Sequence, residues 1–159
     1  MKVAIIMGSI EDRPVAEEAM EICEKFKIEY EAKVISSHRT PQAAIAFAEY
    51  AENNNFSVII CCAGMSANLP GIMASLATIP VIGVPVNRSP IQGVDALLTV
   101  AQMSPGVPVA TMAINGGKNA GLLAAEILAL GNSNVKDKLR YYKKELAMEV
   151  DKMNEELKK

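Results

Sequence analysis

Apolar residues fall in two rhythms along the chain. Five short runs, at 3–7, 32–35, 58–62, 81–86 and 107–114, are continuous and rich in β-branched side chains. Continuous rather than alternating runs are what parallel strands covered on both faces require. Between and after them apolar positions recur every three or four residues, which predicts helices at 13–27, 41–54, 67–77, 93–102, 118–130 and 134–157. Strand, helix, strand repeated in this way predicts an α/β chain with right-handed crossovers and a five-stranded parallel sheet.

The punctuation agrees with the rhythm. Asp12 precedes a helical pattern with Pro14 in its first turn, where a missing N–H costs nothing. Thr40 is the corresponding N-cap before Pro41, Asn53 to Asn55 end the second helix, and Gly131 ends the fifth. The last helix carries Val135, Leu139, Tyr142, Leu146, Val150, Met153 and Leu157 on one stripe. A helix of that length outruns the flank of a small sheet, so the stripe is expected to pack on neighbouring subunits; the alternative is an amphipathic helix on its own domain. Residues 1–159 read as a single domain, with a core at 1–131 and an oligomerisation helix at 134–157.

Composition narrows the function classes. Half the residues are hydrophobic, net charge is −2, and there are three phenylalanines, four tyrosines and no tryptophan. No basic footprint or stacking platform points to nucleic acid, and no charge excess points to an anionic membrane. Cys23, Cys61 and Cys62 are an odd set, and the adjacent pair lies in an apolar run, so buried thiols are expected rather than disulfides. One histidine and no CxxC leave a metal site almost without ligands. No secretory h-region or membrane-length apolar run occurs, and a cytoplasmic protein is expected.

In an open parallel sheet, ligands bind beyond the carboxyl ends of the strands. Five loops meet that condition: GSIED (8–12), SSHRTP (36–41), AGMSANLPG (63–71), NRSPIQG (87–93) and NGGKN (115–119). Gly8 allows a tight turn, and free N–H groups at the following helix start, with the Ser9 hydroxyl, favour an anion. Asp12 can accept from ribose hydroxyls. The competing reading is structural, since Ser9-x-x-Asp12 resembles a capping box. In the second loop stands His38, the only histidine, able to exchange protons near neutral pH. Arg39 beside it offers a fork for phosphate. Two bases at a helix start oppose the helix dipole, a local violation of the kind that marks functional sites; the alternative is a solvated pair. The third loop is small and glycine-rich, with Ser66 and Asn68 as directional donors and acceptors, and reads equally as a ligand loop or a tight turn. Lys118 reads as an exposed loop lysine more readily than an anion contact.

Taken together, these motifs resemble those of the PurE family of purine biosynthesis. MGSIED resembles its MGSxSD opening, SSHRTP its SAHRTP loop, and AGMSANLPGIMAS its AGxAAHLPGMxAA segment. GVPV, QMSPGVPVATMAI and NAGLLAAEIL follow in family order, to about residue 130. The resemblance implies a three-layer αβα, flavodoxin-like fold and a homo-octamer with active sites at subunit junctions. It implies interconversion of carboxylated aminoimidazole ribonucleotides, a small-molecule substrate, without metal or organic cofactor. Carried over by position, Ser9, Asp12 and Arg39 would bind the ribose phosphate, with Gly8, Ser36 and Ser37 around them. His38 would shuttle the proton. Gly64, Met65, Ser66, Ala67, Asn68 and Leu69 would enclose the imidazole and the migrating carboxylate in a closed, dry pocket. Arginine after the histidine matches the mutase branch, whereas the carboxylase branch, which adds free carbon dioxide, has lysine there. Asn68 stands where the mutase pattern has histidine, SAN resembles the carboxylase's RSN, and Glu11 replaces a serine. The carboxylase is therefore the alternative reading, with a PurE-like carboxylase of nickel-pincer cofactor synthesis, or a non-catalytic flavodoxin-like nucleotide-binding module, behind it. No aromatic side chain in the five loops is available to stack a flavin.

Overall fold

The computed structural model describes residues 1–158. Five parallel strands, β1 (Lys2–Met7), β2 (Tyr30–Val34), β3 (Phe56–Gly64), β4 (Val81–Val86) and β5 (Ala110–Thr111), lie in the order β2-β1-β3-β4-β5. Six helices connect and follow them: α1 (Arg13–Phe26), α2 (Pro41–Asn53), α3 (Leu69–Leu76), α4 (Val94–Ala101), α5 (Gly117–Ala129) and α6 (Ser133–Glu156). The predicted α/β, three-layer arrangement is what forms. Successive strand residues point to opposite faces. Val3, Ile5 and Met7 of β1 join α1, α5 and α6 in one core, while Ala4 and Ile6 join α2, α3 and α4 in the other. Cys62 belongs to the first core and Cys61 to the second. All three cysteines are buried free thiols.

Two strands depart from the expected pattern. β2 is an edge strand whose Ala32, Lys33 and Val34 are exposed, not a strand covered on both faces. At the other edge, the run at 107–114 contributes only Ala110 and Thr111 to the ladder. Pro105 and Pro108 bring no N–H, and Pro105-Gly106 forms a turn with Gly106 at φ 92°.

Two expected caps are replaced. Thr40 holds the N-cap position of α2 without bonding into the helix; its hydroxyl donates to the Ser36 carbonyl at 2.9 Å. Asp12 precedes α1 but closes the capping box of the 3-10 turn Ile10–Asp12, accepting from the Ser9 N–H at 2.9 Å. The fifth helix stops at Ala129, two residues before Gly131.

Met7, Val34 and Val86 end their strands at nearly one level, and β3 runs two residues past Cys62 to Gly64: Met7 pairs with Val34 and Cys62, and Val86 with Gly64. Chain order reverses direction between β1 and β3, and loops leaving that point diverge to opposite faces of the sheet. The crevice between them is where this architecture holds ligands. No helix among the described residues is long and apolar enough to cross a membrane.

α6 extends beyond the body it belongs to. Val135, Leu139 and Tyr142 are buried against α1 and α5. From Leu146 onward the same stripe faces outward, with Val150 54%, Met153 60% and Leu157 85% exposed.

Candidate active site

The loops after β1, β2, β3 and β4 enclose a cleft of about 560 Å³. Every residue that the resemblance placed in the site lines it: Gly8, Ser9, Asp12, Ser36, Ser37, His38, Arg39 and the run from Gly64 to Leu69. Glu11, Ala63 and Arg88 line it too. Lys118 lies elsewhere, at the start of α5, where its N–H donates to Glu18.

The β2–α2 turn is built around Ser36. Its carbonyl accepts from the Thr40 N–H at 2.7 Å, and its hydroxyl accepts from the Arg39 N–H and Nε, both at 3.2 Å. Arg39 is thereby folded back along the turn, with its terminal nitrogens left for another partner. Pro41 at the start of α2 adds stiffness. His38 sits at the apex of this turn and is exposed.

The β3–α3 loop approaches from the other side. Gly64 is required by the packing: a Cβ there would lie 2.9 Å from the Arg88 Cβ and 3.0 Å from the Val86 carbonyl. Met65 then adopts φ 55°, a left-handed conformation that costs a non-glycine residue on the order of 1 kcal/mol or more. Strain of that kind concentrates at binding loops. The turn brings Asn68 to His38, with the amide nitrogen 2.9 Å from Nε2. The Ser37 hydroxyl donates to the Asn68 carbonyl oxygen at 2.6 Å. The glycine loop and the histidine turn, thirty residues apart, are thus joined directly.

The β1 loop differs from expectation. The Gly8 N–H donates to the Cys62 carbonyl and the Ser9 N–H to Asp12, so neither is free for an anion. Asp12 is 1% exposed. Burial pushes its carboxyl up from the ordinary 3.8 to about 6, while the Ser9 N–H pulls the other way. Arg88 reaches the same carboxylate with Nη1 at 3.1 Å and pairs through Nη2 with Glu11. One guanidinium therefore bridges a buried carboxylate, Asp12, and an exposed one, Glu11, both lining the cleft.

Sequence reasoning did not single out Arg88. Its signal was present: a cation two residues past a strand, in a loop already counted among the ligand-facing ones. The expected sealed pocket is also not complete in one chain. The exposed His38 and the 55% exposed Met65 leave the cleft open on that side. Among the described residues no group of three or more histidine, cysteine or acidic side chains could hold a metal ion.

Chemically, the cleft pairs one imidazole with hydrogen-bond partners that restrain it, the free fork of Arg39 for an anionic substituent, and a buried carboxylate that retains unshared lone pairs for hydroxyl donors.

Comparison with known proteins covers the whole architecture. The family model described as AIR carboxylase matches residues 2–149. The N5-carboxyaminoimidazole ribonucleotide mutase of Pyrococcus abyssi is 50% identical over 145 residues, spanning 91% of this chain and 83% of the relative. That of Thermotoga maritima is 48% identical over 149 residues, spanning 94% and 87%. The crystal structure of Treponema denticola PurE superposes with a TM-score of 0.90 at 28% identity, covering 99% of this chain and 98% of that one. The cleft and its loops therefore sit in a chain that belongs to the AIR carboxylase, or PurE, family.

Proposed function

We propose that the protein converts 5-(carboxyamino)imidazole ribonucleotide into 4-carboxy-5-aminoimidazole ribonucleotide in purine biosynthesis, an isomerisation that moves a carboxylate from the exocyclic nitrogen to a ring carbon. The observation that carries this reading is the meeting of His38 with the loop from Gly64 to Leu69 inside the cleft. Relatives at 48–50% identity bearing the mutase name support it. Arginine at position 39, directly after the histidine, supports the mutase over the carboxylase branch.

The chemistry divides among few groups. Arg39 takes the phosphate through its free fork, and the Ser9 hydroxyl adds a donor. Asp12 accepts from the ribose hydroxyls. His38, charged, donates a proton to the exocyclic nitrogen of the carbamate, whose N–C bond breaks and releases carbon dioxide. The loop from Gly64 to Leu69 keeps that molecule against the ring, so recapture is a proximity effect. The electron-rich ring carbon attacks it, forming the new C–C bond. His38, now neutral, removes the proton from that carbon and restores aromaticity. One proton leaves the imidazole and one returns, so a single histidine closes the cycle.

The open side of the cleft and the bare end of α6 share one explanation: the chain works as a homo-oligomer, an octamer by the family pattern, in which a neighbour closes the site.

The His38→Asn variant tests the assignment. It should fold and bind nucleotide normally while kcat falls by roughly three orders of magnitude; near-normal turnover would refute the shuttle. Assays with the carbamate alone, and with the uncarboxylated nucleotide plus bicarbonate, separate the branches. Turnover only in the second assay assigns the carboxylase.

A further inference from the structure

The proposed reaction uses His38 but gives the side chains of Ser37 and Asn68 no individual part. Ser37, Asn68 and His38 form a continuous hydrogen-bonded chain across the cleft. Ser37 is only 9% exposed, so its hydroxyl has little access to water. It donates to the Asn68 carbonyl oxygen at 2.6 Å. In this arrangement the oxygen faces Ser37 and the NH2 group points at the imidazole. An amide nitrogen donates and does not accept. The Nε2 atom 2.9 Å away must therefore present a lone pair. In the neutral ring, the remaining proton is then on Nδ1.

We infer that Asn68 is a positioning residue that sets the tautomer and orientation of His38, and that Ser37 sets the orientation of Asn68. The inference rests on the proposed function only for its kinetic consequence. Nδ1 has no protein partner among the described residues. In turnover the imidazolium gives its Nδ1 proton to the carbamate nitrogen, is left as an Nε2–H ring held by the turned Asn68 oxygen, and takes the ring-carbon proton back at Nδ1.

The same chain accommodates the imidazolium. When a proton is added at Nε2, the amide turns over. Its oxygen accepts from Nε2–H, and its NH2 donates to the Ser37 oxygen, which has lone pairs to spare. The ring gains one proton, the amide loses none, and every polar group keeps a partner. Asn68 cannot itself titrate, so it supports both charge states of the shuttle without competing for the proton. The family pattern has a histidine at this position; the amide leaves His38 as the sole imidazole of the site.

That uniqueness makes the test direct. Full-length protein labelled with 15N-histidine yields one pair of imidazole nitrogen resonances. Well above the pH at which a free imidazole titrates, the wild type should show a protonated, pyrrole-type Nδ1 and an unprotonated, pyridine-type Nε2. Asn68→Ala should revert to the Nε2–H form that imidazole side chains favour in water. Asn68→Asp should show the same reversal, because a carboxylate accepts from Nε2–H. In assays with the carbamate, Asn68→Ala should lose roughly five- to tenfold in kcat, with KM changed less than about twofold. A wild-type Nε2–H spectrum overturns the inference, and that spectrum decides the assignment even where a variant folds poorly. A reversed tautomer with unchanged kcat overturns the positioning role. The expected wild-type spectrum in a protein that turns over neither nucleotide counts for the tautomer assignment and against the activity, so the two failures are distinct.

Discussion

Asp12 sets folding against binding within one side chain. It is buried, and burial raises its carboxyl from 3.8 to about 6, with the Ser9 N–H opposing. Arg88 at 3.1 Å, itself shared with Glu11, is the cation facing it. A folded-state value above the ordinary one means that the folded protein holds this proton more tightly than the unfolded chain does. The resulting stabilisation is complete below about pH 3.8 and is lost as pH rises through about 6. Against Asp12→Asn, which has no such proton, the wild type should lose on the order of 1–3 kcal/mol of relative stability between pH 4 and 7.5 in denaturant titrations. A flat difference would mean that Arg88 keeps the carboxylate ionised throughout. The candidate residues were legible because the rule for parallel sheets sends ligands to the loops after the strands, and those loops can be read directly. Arg88 was not, because only the folded sheet brings the exit of β4 beside that of β1.

For the elements, the sequence was clear about centres and weak about ends. Hydrophobic runs located all five strands, but the ladder of β5 is two residues long because Pro108 interrupts the run that suggested more. The exposure of β2 was invisible because strand order is a tertiary fact. Thr40 and Asp12 sit at the predicted helix starts, yet each hydrogen-bonds to a neighbouring turn, a choice between local partners that residue type does not decide. β3 makes its own prediction. Burial pushes the Cys23 and Cys62 thiols up to about 12, and Cys61 well above the ordinary value. Thiolate is the reactive form, so native protein at pH 8 should give no appreciable reaction with an aromatic disulfide reagent, and all three thiols should appear once it is unfolded. Rapid labelling of the native protein would contradict the burial of β3 or of the inner face of α1, which carries Cys23.

Across the whole molecule, the stripe on α6 was readable as a period, and its first half packs where a helix on its own domain would. What covers the second half leaves no mark in one chain's pattern, because an intersubunit face and a core face use the same residues. In the proposed oligomer, Val150→Lys with Met153→Glu should yield smaller particles in sedimentation and roughly tenfold or greater loss of kcat/KM, although neither residue lines the cleft. Unchanged particle size would remove α6 from the assembly.

The exposed margin of β2 has one more consequence. A bare strand edge invites another sheet to zip onto it and seed fibrils. Here an approaching backbone would have to dehydrate Lys33 and disturb Glu31, which is already tied to Lys2 and Tyr50. Charge along this border discourages unwanted stacking at high concentration, and replacing Lys33 with valine would remove part of that guard.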